Sequence, residues 1–238
     1  MIYSQIYDFC KIRDVNKTDF SNRAKFILFL LNQHNIEYKI VRAYSKMHQK
    51  YFYDIFAFGS SNKFLSCHYD VVNMASDNAN DDSASIINAI SYKILNPSIN
   101  LIILDGEEPP YMGVGSKIAS QYLKTNNISV KWILNLELTG VGRYFFIDKF
   151  KTSLASNIME NFKDEVFSVQ TPFNDAYIFR GNGFQSNVLT TVNLDENGKP
   201  DMKILYVSHS LQDSVDNMSL EDMKYFTENT LDKIVKNS

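Results

Sequence analysis

Two glutamates, Glu107 and Glu108, stand side by side between an Asp105-Gly106 turn and the pair Pro109-Pro110, in a chain with only five prolines and nine glycines. Adjacent like charges repel, so the pair is either a solvated surface turn or a place where a cation offsets the repulsion. Other stretches bear on the choice. His68-Tyr69-Asp70 closes one apolar run, Glu137 sits inside Leu-Asn-Leu-Glu-Leu-Thr-Gly, and Asn80-Asp81-Asp82-Ser83 precedes a helical pattern. His209 lies in Ser-His-Ser-Leu-Gln-Asp, four residues ahead of Asp213. Singly, each has a plain reading: a packed imidazole, a turn acid or, for Asp82 and Ser83, a helix start. Together, two histidines and three carboxylates suit a pair of zinc ions, bound through imidazole nitrogen and carboxylate oxygen at about 2.0–2.2 Å. Two such ions about 3.5–4 Å apart share a bridging acid. Asp81, a short acid in a turn held by the following helix, suits that bridge.

These residues need a scaffold, and the pattern of apolar residues describes one. Helical spacing marks residues 18–35, 83–95, 115–125 and 152–164, and a closing helix starts at the N-cap Ser219 with Asp222 three residues on. Strands are expected at 38–42, 51–58, 63–67, 99–104, 130–136, 143–147, 188–192 and 204–207, and the Asn-rich segments 77–80 and 193–199 read as loops. Strands alternating with helices predict a single α/β domain over 1–238, a three-layer α/β/α sandwich on a central mixed, mostly parallel sheet. In such sheets, sites form outside the carboxyl ends of strands. The runs 63–67, 99–104 and 130–136 lead into His68, the Glu107-Glu108 pair and Glu137 in turn. A carboxylate ending a buried strand is costly unless paired or metal-bound, and the repetition argues against three independent solvated turns.

The composition excludes several classes. A hydrophobic content of 45% with 17 Phe and 14 Tyr supports a substantial core, and a formal charge of −3 without a basic run gives no footprint for nucleic acid. No apolar run reaches the roughly 18–20 residues that cross a bilayer, so no membrane association is expected. The opening MIYSQIYDFCKIRD does not read as a signal peptide, and Cys10 and Cys67 make neither a disulfide framework nor a metal-binding pair. A cytoplasmic setting is expected. Cys67 beside His68 reads as a small buried residue at a strand end rather than as a soft ligand.

The order His-Tyr-Asp, Ala-Asn-Asp-Asp-Ser-Ala-Ser, Asp-Gly-Glu-Glu, Leu-Asn-Leu-Glu-Leu-Thr-Gly and Ser-His-Ser-Leu-Gln-Asp resembles the di-zinc aminopeptidases of the leucyl aminopeptidase, aminopeptidase-S and aminopeptidase-Y type. Glutaminyl cyclases and glutamate carboxypeptidases are relatives of that group. The resemblance runs from about residue 68 to residue 213, and the first sixty residues carry none of it. It implies a phosphorylase/hydrolase-like sandwich in which His68 and Glu137 bind one zinc, Glu108 and His209 the other, and Asp81 bridges both. It implies further that Asp70 orients the His68 imidazole and that Glu107, next to a ligand but free of metal, is the general base for hydrolysis of peptide or aminoacyl-amide substrates. Asp82 keeps its role as a helix-start acid, and Asp213 either supports His209 or begins a turn.

The sequence departs from the group's pattern at several points. Glu137 stands where many of these aminopeptidases have Asp. Ala176 replaces a His and Gln185 a Pro in the stretch that begins at Asn174-Asp175, and Pro109-Pro110-Tyr111 lengthens the loop after Glu108. Tyr111 and Phe173 suit a pocket wall, though with 31 Phe and Tyr in the chain ordinary packing or surface placement is the favoured account. Two alternatives stand beside the aminopeptidase: a glutaminyl-cyclase-like acyltransferase with one zinc, against which His68 is weighed, and a non-catalytic metal-binding interaction protein on the same fold.

Overall fold

Unbroken apolar runs form strands covered on both faces, because a strand with one wet face alternates polar and apolar residues. The computed structural model describes residues 2–12, 20–72 and 77–238. Within them lie the strands β1 (Lys39–Ser45), β2 (Lys50–Ala57), β3 (Lys63–His68), β4 (Asn100–Leu104), β5 (Trp132–Leu136), β6 (Tyr144–Asp148), β7 (Val166–Val169) and β8 (Ser186–Val192). They form one mixed sheet in the order β1-β2-β4-β3-β5-β8-β6-β7. The central strands β4, β3, β5 and β8 are parallel, while β1 and β2 pair antiparallel and β6 runs antiparallel to β8.

The two faces fill from alternate residues of the same strands. Leu65, Cys67, Leu101, Ile103 and Leu134 join a core with Ile27 and Leu31 of the helix Asn22–Gln33 and Ile87 and Ile90 of the helix Ser85–Leu95. Phe64, Ile102, Leu104 and Ile133 point the other way, onto Ala119 and Leu123 of the helix Val114–Thr125 and Phe179 of the helix Asp175–Gly181. The result is an α/β sandwich with helices on both sides of the sheet. Cys67 and Cys10 are free, buried members of the first core, so Cys67 packs as expected. No helix among the described residues is long and apolar enough to cross a membrane.

Register brings the chemistry together. His68 pairs with Leu104, and Ser66 with Asn135, so β4, β3 and β5 end at one level, next to one another. The chain leaves β4 through Gly106, whose φ of +80° is open to glycine, and a Cβ there would sit 2.5 Å from the Phe52 ring.

The structure differs from the sequence expectation at particular elements. The helix expected at 18–35 starts at Asn22, where Ser21 caps it by accepting from the Ala24 N–H, and positions 18 and 19 lie outside the described residues. Residues 204–207 are a helical turn rather than a strand. None of the four is buried, and β-rich composition does not make a strand where no sheet edge pairs with it. The short strand β7 and the helix Asp175–Gly181 were not expected. Ser219 does cap the closing helix, accepting from the Asp222 N–H at 3.1 Å.

Candidate metal centre

His68 is fixed first. It is the last residue of β3 and 1% exposed, and its backbone N–H donates to Asp82 Oδ2 at 3.2 Å. Its Nδ1 lies 3.2 Å from the Asp70 carbonyl oxygen, which can only accept, so Nδ1 carries the proton and Nε2 faces the acids. There Nε2 meets Asp81 Oδ1 at 3.2 Å and Glu137 Oε2 at 3.6 Å. The second imidazole mirrors this arrangement. His209 Nε2 lies 3.2 Å from Asp81 Oδ2 and 2.9 Å from Glu108 Oε1. Asp81 thus gives one carboxylate oxygen to each histidine. The five residues expected to be ligands converge, with Asp81 in the middle.

The turn that carries Asp81 is held in a non-helical shape, with φ/ψ of −109°/85° at Asp81 and −132°/32° at Asp82. The Asp81–Asp82 peptide bond is cis. Its bracing comes from side chains outside the expected ligand set. Asp213 accepts the backbone N–H of Asn80 at 2.6 Å and that of Asp81 at 3.3 Å. Asp77 returns the bond to the other segment, accepting from Ser214 Oγ and the Val215 N–H. Asn80 Oδ1 accepts from the Gly140 N–H at 2.7 Å, and a Cβ on Gly140 would sit 2.8 Å from that oxygen and 2.2 Å from Met218 Sδ. Arg23, 1% exposed and stacked 4.1 Å over the Phe9 ring, donates to the Tyr69 carbonyl at 2.7 Å and to Ser83 Oγ at 2.9 Å. One guanidinium therefore ties the segment after His68 to the segment after Asp81.

Three expected roles change. The Asp70 carboxylate is 3.5 Å from His68 Nδ1, while its oxygens accept the backbone N–H groups of Glu107 at 3.1 Å and Glu108 at 2.9 Å. A chain leaving a strand end has N–H groups without sheet partners, and Asp70 satisfies them. Asp70 therefore positions the glutamate pair as much as the imidazole. Asp82 is not a helix-start acid: the helix begins at Ser85, and Asp82, fully buried, belongs with His68 and Glu137. Asp213 supports the Asp81 turn rather than His209. The sequence also missed Asn135, whose side-chain amide donates to Glu137 Oε1 at 2.8 Å and turns the other oxygen toward His68.

Burial and charge oppose each other throughout the cluster. Burial pushes the Asp81 carboxyl up, but hydrogen bonds from His209 and His68 outweigh it and hold Asp81 well below its ordinary value. Burial likewise pushes Asp70 up, and His68 together with the backbone N–H groups of Glu108 and Glu107 brings it down. Glu108 is pushed up to about 7 by burial despite its bond to His209. His209 rises to about 10 through its bonds to Asp81 and Glu108. Glu107 is raised well above its ordinary value by burial, to which the nearby charges of Glu137, Asp175 and Glu108 add. Carboxylates outnumber imidazoles in a nearly dry site, which leaves negative charge without a counterpart.

The donors fit a divalent metal. His68, Asp81 and Glu108 form one group whose ligating atoms lie within 4.8 Å of one another, and His68, Asp82 and Glu137 form a second. Asp82 Oδ1 is buried without a hydrogen-bond partner among the described residues. Imidazole and carboxylate are the donors that zinc takes, and a second ion would use His209. Glu107 lies outside both groups but lines the same cavity of about 210 Å³. Leu138, Phe146, Val188 and Leu205 give the cavity apolar lining, and no Lys or Arg lines it among the described residues. Phe173 is part of that lining, whereas Tyr111 turns away to stack edge-on against His48 and Phe52.

No protein-family model and no curated protein matches the sequence. Among solved structures, the glutaminyl cyclase of Porphyromonas gingivalis superposes with a TM-score of 0.77 at 15% identity, over 100% of this chain and 97% of that one. The LapA aminopeptidase of Legionella pneumophila gives 0.75 at 13% identity, over 99% and 70% of the two chains. BSAP, a zinc aminopeptidase from Bacillus subtilis, gives 0.63 at 16% identity, over 79% and 50%. The chain thus has the fold shared by glutaminyl cyclases and zinc aminopeptidases.

Proposed function

We propose that the chain is a zinc-dependent hydrolase that removes N-terminal residues from peptides or cleaves aminoacyl amides. The observation that carries this reading is the placement of Asp81, with one carboxylate oxygen toward His68 and the other toward His209. Each imidazole has a further acid of its own, Glu137 and Glu108. His68, Asp81 and Glu137 would hold one ion, and Asp81, Glu108 and His209 the second. Zinc supplies a Lewis acid that polarises a carbonyl and acidifies water.

The chain's own residues account for the rest. Glu107, positioned by the Asp70 bond to its backbone, takes a proton from water and delivers it to the leaving amine. Burial raises its carboxyl above the ordinary value, which strengthens it as a proton acceptor. The acidic cavity, which no Lys or Arg lines among the described residues, favours an α-ammonium group and disfavours a carboxylate at the cleavage point. The apolar lining accommodates an uncharged side chain. Asp70, Asp213 and Arg23 hold the segments in register and touch no substrate.

A second reading is glutaminyl-cyclase-like acyl transfer with a single ion. The likeness in fold to the P. gingivalis enzyme over 97% of that chain favours it. One experiment separates the two: metal content of the purified protein, measured alongside turnover of a panel of aminoacyl amides and N-terminal glutaminyl peptides. Two ions and release of free amino acids support the hydrolase. One ion with loss of ammonia from glutaminyl peptides supports the cyclase. Full metallation without turnover of either substrate supports a binding protein.

A further inference from the structure

A second groove, of about 460 Å³, adjoins the acidic cavity, and Thr171, Pro172, Phe173 and Asn174 line both. Its chemistry is the opposite of its neighbour's. Lys149 and Arg180 line it, and the acid among its lining residues, Asp148, is already engaged: Asp148 Oδ2 accepts from Arg180 Nη1 at 2.6 Å and Oδ1 from the Asn187 amide at 2.6 Å. Arg180 is held rigidly, with Nη1 also donating to the Ser186 carbonyl at 2.9 Å and the guanidinium 4.4 Å from the centre of the Phe150 ring. Among the described residues only this one nitrogen of the three has a hydrogen-bond partner. Lys149 is exposed and forms no ion pair among the described residues. Phe173 and Tyr177, 39% and 61% exposed, add aromatic surface between the groove and the cavity.

We propose that this groove receives the C-terminal carboxylate of a short peptide whose amino end lies in the acidic cavity. The inference rests on reading that cavity as the site for the substrate's amino end. Acids at one end and two cations at the other match a zwitterion, and a pre-positioned guanidinium edge beside a mobile ammonium suits the two oxygens of a single carboxylate. The four shared residues form a continuous wall along which the backbone between the two ends runs. Substrates are accordingly short, free-acid peptides rather than the termini of folded proteins.

The test measures binding and turnover separately. Calorimetry on the metal-loaded Glu107→Gln protein compares leucyl-alanine and leucyl-alanyl-alanine with their C-terminal amides and with leucyl-aspartyl amide, whose only carboxylate is on a side chain. At one of the two lengths the free acid is expected to bind at least about tenfold tighter than its amide, the scale of one charge-assisted contact. Lys149→Glu, at an exposed position, is expected to abolish that difference and leave amide binding unchanged. Equal binding of acids and amides, a preference that survives Lys149→Glu, or leucyl-aspartyl amide binding as tightly as the free acid would each overturn the proposal. Leucinamide hydrolysis by the wild-type protein reports on the hydrolase reading by itself. Turnover without acid selectivity removes the groove's role alone, and acid selectivity without turnover removes the hydrolase alone.

Discussion

The carboxylate of Asp213 lies 2.6 Å from the backbone nitrogen of Asn80 and 3.3 Å from that of Asp81, and so ties the chain that follows His209 to the turn that carries Asp81. Asp213 is fully buried. Its removal leaves two backbone donors unsatisfied, at about 1–3 kcal/mol each. Asp213→Ala is expected to lower stability by roughly 2–4 kcal/mol and to weaken metal binding, because it loosens the turn under Asp81 and the segment of His209 together. Asp213→Asn keeps one acceptor oxygen and should lose less of both. Denaturant unfolding with a competitive chelator titration checks the pair of effects. Metal affinity that stays at the wild-type level in Asp213→Ala would show that the two ligand segments are held independently.

Arg23 joins the other pair of segments. Its guanidinium spans the Tyr69 carbonyl and Ser83 Oγ, two acceptors that no single ammonium can reach in the same fork geometry. Arg23→Lys is therefore expected to behave nearly as badly as Arg23→Met, each costing roughly 3–5 kcal/mol as a broken buried polar network. Both should reduce metal retention at the His68 side. The measurement is thermal unfolding in excess chelator and in excess zinc: the zinc-induced rise in melting temperature should shrink in both variants. A full rise in Arg23→Lys would mean that charge alone suffices.

Why Arg23 carries no mark in the sequence and the role of Asp213 stays open there, while His68, Glu108 and Glu137 stand out, has a physical answer. A charged residue that ends an unbroken apolar run announces itself, since nothing in a solvated turn requires a run buried on both faces to come first. The ends of β3, β4 and β5 were legible for that reason, and with them the parallel centre of the sheet. Asp213 acts through backbone N–H groups and Arg23 through the Tyr69 carbonyl and one serine hydroxyl, all in distant segments, and such partners leave no mark in the sequence of side chains. Asp82 misled because an acid immediately ahead of a helical pattern is the usual sign of an N-terminus, and only the non-helical backbone at Asp81 and Asp82 shows otherwise. The run 204–207 misled because four apolar residues look alike in a strand edge and in an exposed helical turn.

Asp54 gives the fold a pH dependence away from the metal donors. It is fully buried in β2, where Oδ1 accepts the Asp105 N–H and Oδ2 has no hydrogen-bond partner among the described residues. Burial pushes its carboxyl well above the ordinary value of 3.8. A folded-state pKa above the unfolded one means that the native protein holds a proton which the unfolded chain has already released. The contribution to stability is complete below about pH 3.8 and is lost as pH rises toward the native value. Asp54→Asn keeps the acceptor for Asp105 and carries no charge, so its stability relative to wild type should rise with pH. Urea midpoints taken between pH 5 and pH 8 in roughly unit steps test this, with the native pKa bounding the window. Asp105, pushed up to about 7 by burial and by the charge of Asp70, leaves part of the slope in the variant. A slope identical to wild type would assign the whole effect to Asp105.

The adjacent glutamates are expected to separate cleanly under mutation, because the fold gives them different neighbours. Glu108 Oε1 is 2.9 Å from His209 Nε2 and belongs to the donor group with His68 and Asp81, whereas Glu107 lies outside both groups and faces the cavity. Their backbones hang on the same carboxylate, that of Asp70, so a variant at either side chain leaves the other's placement intact. Glu107→Gln removes a proton acceptor and should lower turnover roughly 10²–10⁴-fold, with metal content unchanged. Glu108→Ala removes a ligand and should lose metal first and activity as a consequence, with partial recovery in excess zinc. Metal analysis alongside turnover of leucinamide distinguishes the two signatures. Metal loss in Glu107→Gln, or full metallation in Glu108→Ala, would exchange or dissolve the roles given to this pair. Asp70→Asn should show both signatures in weaker form, since it loosens the backbone that carries the two glutamates.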